Sequence, residues 1–202
     1  GAAAVIGTFV GIHHGWSLLN ADGRLVIRSI EVRGADRARW QDVAAYSGIR
    51  VGDPLLSVDL DAVALSLRQH PWVKSATVRR RLPDHLVIDL VEHVPAILVS
   101  INDLYVADTQ GDIFKRLEVN DGLTMPVVTG LSREAVQTDP VRAAERTQEA
   151  IAIAGALENA GIGRVDELHV DERLGWSVVL NGGRTAGPRV VHLGLSPLER
   201  IG

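Results

Sequence analysis

The chain has 202 residues, a formal net charge of −4 and 46% hydrophobic residues. That length allows one large or two small domains, the apolar content is enough for a packed core, and the acidic balance argues against a nucleic-acid binder. Cysteine is absent, which excludes disulfides, thiolate nucleophiles and cysteine-held zinc.

The first formal charge is Asp22, and residues 1–12 are almost wholly apolar. Twelve helical residues span ~18 Å, short of the ~30 Å hydrocarbon core. Residues 1–16 therefore read as the C-terminal part of a transmembrane anchor whose beginning lies outside this sequence. Trp16, just after His13 and His14, suits the membrane–water boundary. A signal peptide would show a basic start and a cleavage site, and neither is visible. Membrane orientation cannot be read from charge, because the flank that would carry it is absent.

Ile30 and Val32 alternate with Ser29, Glu31 and Arg33, which predicts a strand closed by Gly34. Asp36 is expected to cap a helix carrying Trp40, Val43, Ala44 and Ser47, with Gly48 as its stop. After a loop at 51–54, Asp59 caps a second helix with Leu60, Val63 and Leu67 on one stripe. Pro71, which has no amide hydrogen, ends it. Ala76, Val78 and Leu82 then share a strand face against Thr77, Arg79 and Arg81. Beyond a two-residue Pro83-Asp84 turn, Leu86, Ile88 and Leu90 alternate against Val87, Asp89 and Val91, completing a hairpin. The order is β-α-α-β-β, with two helices to cover one sheet face.

Pro95 marks a domain boundary. Residues 96–100, 104–107 and 112–116 read as a meander, and Val127–Thr129 adds a short strand. Asp139-Pro140 opens the longest helix, an N-cap followed by proline at the first helical position. Its apolar stripe is Ala143, Ala144, Thr147, Ala150, Ile151, Ala154 and Leu157, and Gly161 ends it. Strands at 164–170, 176–181 and 189–193 follow.

The stretches Val51-Gly52-Asp53-Pro54-Leu55, Pro71-Trp72-Val73, and Arg80-x-x-Pro83 through Glu92-x-x-Pro95 resemble the POTRA domain of the FtsQ/DivIB family of bitopic bacterial cell-division proteins. The resemblance continues through Leu104-Tyr105-Val106-Ala107-Asp108 with Gly111 and Ile113-Phe114, then Met125-Pro126-Val127-Val128-Thr129-Gly130, and the late Trp176, Leu180 and Leu193-Gly194. Two departures stand out. Ile97-Leu98 occupies a place where the family usually has an aromatic. The sequence also stops at Gly202, inside a helix expected over 197–201 and before the last strand that docks FtsB in the family. The resemblance implies an α+β fold in three parts: an anchor at 1–16, a POTRA domain at 24–94, and an FtsQ-type β domain at 95–202 with one long helix, truncated at its C-terminal end.

The implied function is non-catalytic. A single-pass protein of the bacterial inner membrane, with its bulk in the periplasm at the septum, would hold FtsB/FtsL-type partners and the septal peptidoglycan synthase. No cofactor, metal, nucleic acid or small-molecule substrate is expected. The mechanism would be strand addition at an exposed sheet edge. The alternative is a POTRA-bearing factor in outer-membrane protein assembly or secretion, but the tandem units and barrel usual there are not visible. A hydrolase reading lacks a nucleophile elbow, a metal trio or paired carboxylates.

Four residues are candidates for partner binding. Arg173 and Trp176 fall in the Arg-x-x-Trp segment near which the family contacts FtsB. Arg79 and Arg81 face outward on the hairpin, with Arg80 expected to project past the sheet end, its stem over apolar surface. The seven histidines are read as surface or boundary residues, since no HExxH or close His/carboxylate trio occurs. Gly182 through Gly187 is read as a hairpin loop, because it leads into a strand and lacks a phosphate loop's Lys-Ser/Thr ending. Trp72 is expected in the core.

Overall fold

The computed structural model describes residues 25–181, 187–195, 197 and 198. The expected anchor at 1–16, most of the glycine-rich loop and the end of the expected helix at 197–201 lie outside the described residues. Among the described residues no helix is long and apolar enough to cross a membrane. The chain divides into two compact units, Gly1–Glu92 and His93–Gly202.

The first unit runs β1 (Ser29–Arg33), α1 (Trp40–Ser47), a 3₁₀ turn (Leu55–Ser57), α2 (Leu60–Leu67), β2 (Val73–Arg81) and β3 (His85–Glu92). Its sheet has the order β1-β3-β2, with β1 parallel and β2 antiparallel to the central strand. Leu86, Ile88, Leu90 and Val78 pack with Ile27, Val43, Leu55, Val63 and Leu67 into one core. The parity read from the sequence for β3 is the parity observed. Asp59 caps α2 by accepting from the amides of Asp61 (3.1 Å) and Ala62 (3.0 Å).

Three local expectations are corrected. Asp36 does not cap α1, which starts after Arg39 with no side-chain cap bond. Instead the Glu92 carboxylate accepts from the amides of Arg37 (2.9 Å) and Ala38 (2.8 Å), just ahead of the helix. Leu82 lies past the end of β2 and is exposed, so the connection is three residues, 82–84, rather than two. Arg80 takes the inward-facing place in the alternation. Its guanidinium donates to the carbonyls of Leu55 (2.8 Å), Leu56 (3.3 Å) and Val58 around the 3₁₀ turn. A cation can occupy that position because its Nε and Nη2 donors find backbone oxygens.

The second unit contains β4 (Pro95–Ile101), β5 (Asp103–Asp108), β6 (Ile113–Arg116), a 3₁₀ turn (Val119–Asp121), β7 (Val127–Thr129), α3 (Arg133–Thr138), α4 (Pro140–Asn159), β8 (Val165–Asp171), β9 (Gly175–Leu180) and β10 (Arg189–Gly194). The strand order is β10-β9-β8-β7-β4-β5-β6, with β7 parallel to both β4 and β8 and the remaining pairs antiparallel. The chain must therefore leave the far edge at β6 and return to mid-sheet. Lys115 and Asp121, both nearly buried and 2.7 Å apart, pin that return.

Helix α4 buries Ala143, Thr147, Ala150, Ile153, Ala154 and Leu157. The expected Ile151 packs against the core half-buried, and Ile153, which the stripe left out, is fully buried. The buried Thr147 hydroxyl donates to the Ala143 carbonyl at 2.8 Å. The short helix α3, capped by Ser132, is an element the sequence reading lacked, so α4 does not stand alone.

Candidate partner-binding surfaces

Arg79 and Arg81 stand on the open face of the small sheet, more than half exposed, but both are committed to neighbours. Arg81 reaches Glu31 at 3.3 Å, Arg79 reaches Asp89 at 3.0 Å, and Arg33 bridges to Glu31 at 2.7 Å and Asp89 at 4.0 Å. The register puts Glu31, Val87 and Arg79 in one row across the three strands. The ion pairs close over Val87, which is only 2% exposed although it lies on the outward face. The hydrogen bond from Arg33, helped by the charges of Arg33 and Arg81, holds the Glu31 carboxyl below its usual range. This face is a lattice of mutually satisfied charges.

Arg173 sits at the tip of the β8–β9 turn. The Asp171 side chain sets that turn, its Oδ1 accepting from the amides of Arg173 (2.8 Å) and Leu174 (2.9 Å). Those bonds, from Leu174 and then Arg173, hold the Asp171 carboxyl below the usual aspartate range. Arg173 and Leu174 are left exposed, Leu174 at 73%. Gly175 follows with φ +77°, and a Cβ there would lie 2.2 Å from the carbonyl of Gly194. Only glycine lets the end of β10 pass so close to the turn.

Trp176 points the other way. It is 1% exposed and packs in the core of the second unit, its indole N–H without a hydrogen-bond partner. The structure therefore separates the two members of the Arg-x-x-Trp segment: the arginine is available at the surface, and the tryptophan supports the strand behind it.

A cleft of about 680 Å³ opens beside this turn. One wall comes from the β7–α3 connection and the start of α4, with Ser132, Asp139, Arg142 and Arg146. The other comes from the end of β8 and the turn, including His169, Asp171, Glu172 and Arg173. The sequence reading missed Arg142. Its only signal there was a basic residue in the first turn of the longest helix. The sheet edge at β10 is the other exposed feature: among the described strands it pairs only with β9, and residues 189–192 are exposed.

The described histidines divide between core and surface. His70 is buried and accepts from the Trp72 amide at 3.3 Å, so it is not a surface residue. His93 bonds Asp108 at 2.8 Å and stacks on Phe114 with ring centroids 4.3 Å apart. His169 meets the Thr129 hydroxyl at 2.9 Å, and that hydroxyl donates to Glu167 at 2.8 Å. Among the described residues no group of three or more His, Asp or Glu is placed to hold a metal ion.

A β-α-α-β-β unit followed by a seven-stranded mixed sheet backed by a long helix defines an α+β protein of two units, the second of which presents an arginine-bearing turn. Residues 25–93 match the profile of the POTRA domain, FtsQ-type, and residues 96–199 match that of the cell division protein FtsQ/DivIB C-terminal domain. The chain is 38% identical over 169 residues to the cell division protein FtsQ of Anaeromyxobacter sp. (strain K), covering 81% of this chain and 58% of that protein. It is 33% identical over 153 residues to FtsQ of Myxococcus fulvus, covering 76% and 53%. It is 32% identical over 190 residues to FtsQ of Geobacter sp. (strain M21), covering 91% and 68%. The chain belongs to the FtsQ/DivIB family of cell-division proteins. It spans about half to two thirds of the length of these curated relatives.

Proposed function

We propose that this protein is a non-catalytic, membrane-anchored scaffold of the division machinery, holding FtsB/FtsL-type partners and the septal peptidoglycan synthase at the septum, with both units outside the cytoplasm. The observation that carries this reading is the FtsQ-type POTRA unit joined to an FtsQ/DivIB C-terminal unit in one chain. That pairing also weighs against the outer-membrane assembly alternative. The second unit is the proposed capture site. A partner strand adds to the edge of its sheet on the β10 side, at the last strand expected beyond residue 202, where backbone hydrogen bonds give affinity and alternate side chains set the register. Arg173, exposed on a turn next to the end of β10, pairs with a partner carboxylate. Trp176 contributes from inside by holding β9 in place.

The test is Arg173→Glu in the full chain, with capture of an FtsB-like partner and the melting temperature measured together. Reversal removes an attractive pair and adds a repulsive one. Capture should fall at least ~10-fold, as for a lost charge-assisted hydrogen bond. The melting temperature should not change, because the Asp171 bonds are made to the backbone. Undiminished capture would move the partner surface away from this turn.

A further inference from the structure

Leu82 and Val51 are aliphatic side chains that the first unit leaves 65% exposed each. Single exposed leucines and valines are common on any protein surface. These two differ in where the fold puts them. Leu82 follows Arg81, the last residue of β2, which pairs with His85, the first residue of β3. It therefore lies in the hairpin connection at one end of the three-stranded sheet. Strand β1 begins at the same end, its Ser29 paired with His85. One residue earlier the Arg28 amide donates to the Asp84 carbonyl at 2.8 Å, tying the incoming chain to the hairpin connection. The loop that carries Val51 holds the same incoming segment. The Gly52 amide donates to the Ile27 carbonyl at 2.8 Å, the Ile27 amide to the Asp53 carbonyl at 2.9 Å, and the Leu55 amide to the Leu25 carbonyl at 2.9 Å.

The chain thus enters the unit between the hairpin connection and the 51–54 loop. Immediately upstream lies the anchor expected at 1–16. Only residues 17–24 separate Trp16 from Leu25, and even fully extended they reach at most ~32 Å. The end that bears Leu82 and Val51 is therefore tethered within reach of the lipid surface. Its charges balance. Arg28 meets Asp84 at 3.6 Å, His85 meets the same carboxylate at 2.6 Å, and Arg81 meets Glu31 at 3.3 Å. Asp53 accepts from the Arg50 amide at 2.8 Å, and Asp59 caps α2 beside the 3₁₀ turn that holds Arg80. Arg28, Arg50, Arg80 and Arg81 are matched in number by Glu31, Asp53, Asp59 and Asp84, and Asp22 and Arg24 cancel in the tether. What this end offers a membrane is aliphatic surface without net charge.

We infer, on the membrane-anchored reading above, that this end of the first unit docks on the bilayer that holds its own anchor, with Leu82 and Val51 entering the boundary between headgroups and acyl chains. Two aliphatic side chains are too few to hold a free protein on a membrane, since even a whole myristoyl chain binds only marginally. Joined to an anchor, the contact is intramolecular and competes only with the free motion of a short tether. The Arg28–Asp84 pair beside the connection limits the depth, because charges are costly below the headgroups. Lipid is the occupant because the tether brings it to these side chains in every copy of the chain, and a protein partner would have to displace it. Docking fixes the height and rotation of the first unit above the membrane, which a tether alone leaves free.

The test uses the protein expressed from its own gene, reconstituted in phosphatidylcholine vesicles, with a nitrobenzoxadiazole fluorophore on one introduced cysteine. Quenching by a lipid with a shallow doxyl group reports contact with the bilayer, and the unsubstituted protein is the labelling blank. The reporter at Leu82→Cys should be quenched strongly. At Leu65→Cys, 58% exposed in the last turn of α2 and toward the end where β2 begins, it should not be. With the reporter moved to Val51→Cys, adding Leu82→Ser should lower the docked-to-free ratio by ~10-fold, as for an aliphatic side chain withdrawn from an apolar site. The melting temperature should hold, because Leu82 is exposed. Quenching should be the same with and without phosphatidylglycerol, as expected of a contact without net charge. A chain that fails to float with the vesicles would overturn the anchored reading and the docking together. If it floats, equal quenching at 82 and 65, or quenching at 51 that ignores Leu82→Ser, would overturn the docking and leave the anchor standing. Quenching that requires phosphatidylglycerol would overturn the aliphatic contact. A blue shift at 82 that grows with protein density without doxyl quenching would assign this end to a second copy and overturn the lipid contact.

Discussion

At the residue scale, the most consequential side chains are those that hold backbone. Glu92 ends β3 and binds two amides ahead of α1, and in the same region the Arg37 guanidinium lies 4.5 Å over the Trp72 ring. Glu92→Ala leaves those amides without their acceptor and should cost about 2 kcal/mol, the usual range for a bond to a charged group. Glu92→Gln keeps one acceptor oxygen and should cost less than half of that. Urea denaturation of the two variants compares them directly, and equal losses would mean that the carboxylate acts through charge alone. Asp171 makes a second residue-scale claim, about pH. Its folded pKa is depressed, so its contribution to the turn is complete above the unfolded aspartate pKa of about 3.9 and is lost as pH falls through the lower folded value. In an NMR titration the Arg173 and Leu174 amides should shift together with a midpoint below that of free aspartate. In Asp171→Asn, which keeps the acceptor oxygen without the charge, that transition should vanish. The sequence named Glu92 as part of a motif but could not give it this work, because its partners lie 54 and 55 positions away.

At the element scale, alternation and capping carried most of the fold, and the departures have identifiable causes. Strand β3 follows its predicted parity because it is central and one face must be buried. In β2, the edge strand, the same rule assigned Leu82 inward, yet the strand ends first and Arg80 fills the inward place through carbonyls of a 3₁₀ turn. A hydrophobicity pattern cannot represent a cation satisfied by backbone. In α4, Ile151 packs against the core as its place on the stripe predicts, and Ile153, outside that stripe, is buried more deeply still. The Arg173 turn was legible from its motif. Arg142 was not, because only the fold brings the start of α4 to the same cleft as the β8–β9 turn. The parity of β3 can be tested in one strand. Ile88 is 1% exposed, so Ile88→Asp buries a carboxylate with no partner and should unfold the first unit, a loss of several kcal/mol. Asp89→Asn, one residue along, disturbs only the exposed pairs to Arg79 and Arg33 and should cost under ~1 kcal/mol. Denaturant midpoints that shift equally in the two variants would mean that the strand is turned the other way.

At the scale of the whole molecule, the proposed scaffold role requires both units to lie on the same, extracytoplasmic side of the membrane. Neither composition nor the charge before β1 decides that side. The absence of cysteine offers a direct way to ask. A single engineered thiol on each unit reports the compartment of that unit without background from the rest of the chain. Val119 is the natural choice in the second unit, since it is fully exposed at the 3₁₀ turn between β6 and β7 and its side chain supports nothing. Arg68, exposed just past the end of α2, serves the first unit. Expressed from its own gene, Val119→Cys and Arg68→Cys should both react with a membrane-impermeant maleimide in intact spheroplasts, as fully as after lysis. The unsubstituted protein controls for any cysteine elsewhere in the gene product. If the two thiols react only after lysis, the units are cytoplasmic and strand addition to periplasmic partners is impossible. If one reacts and the other does not, a membrane crossing must fall between residues 68 and 119. The paired strands and the two closed cores of that stretch leave no room for one, so this outcome would overturn the two-unit fold itself.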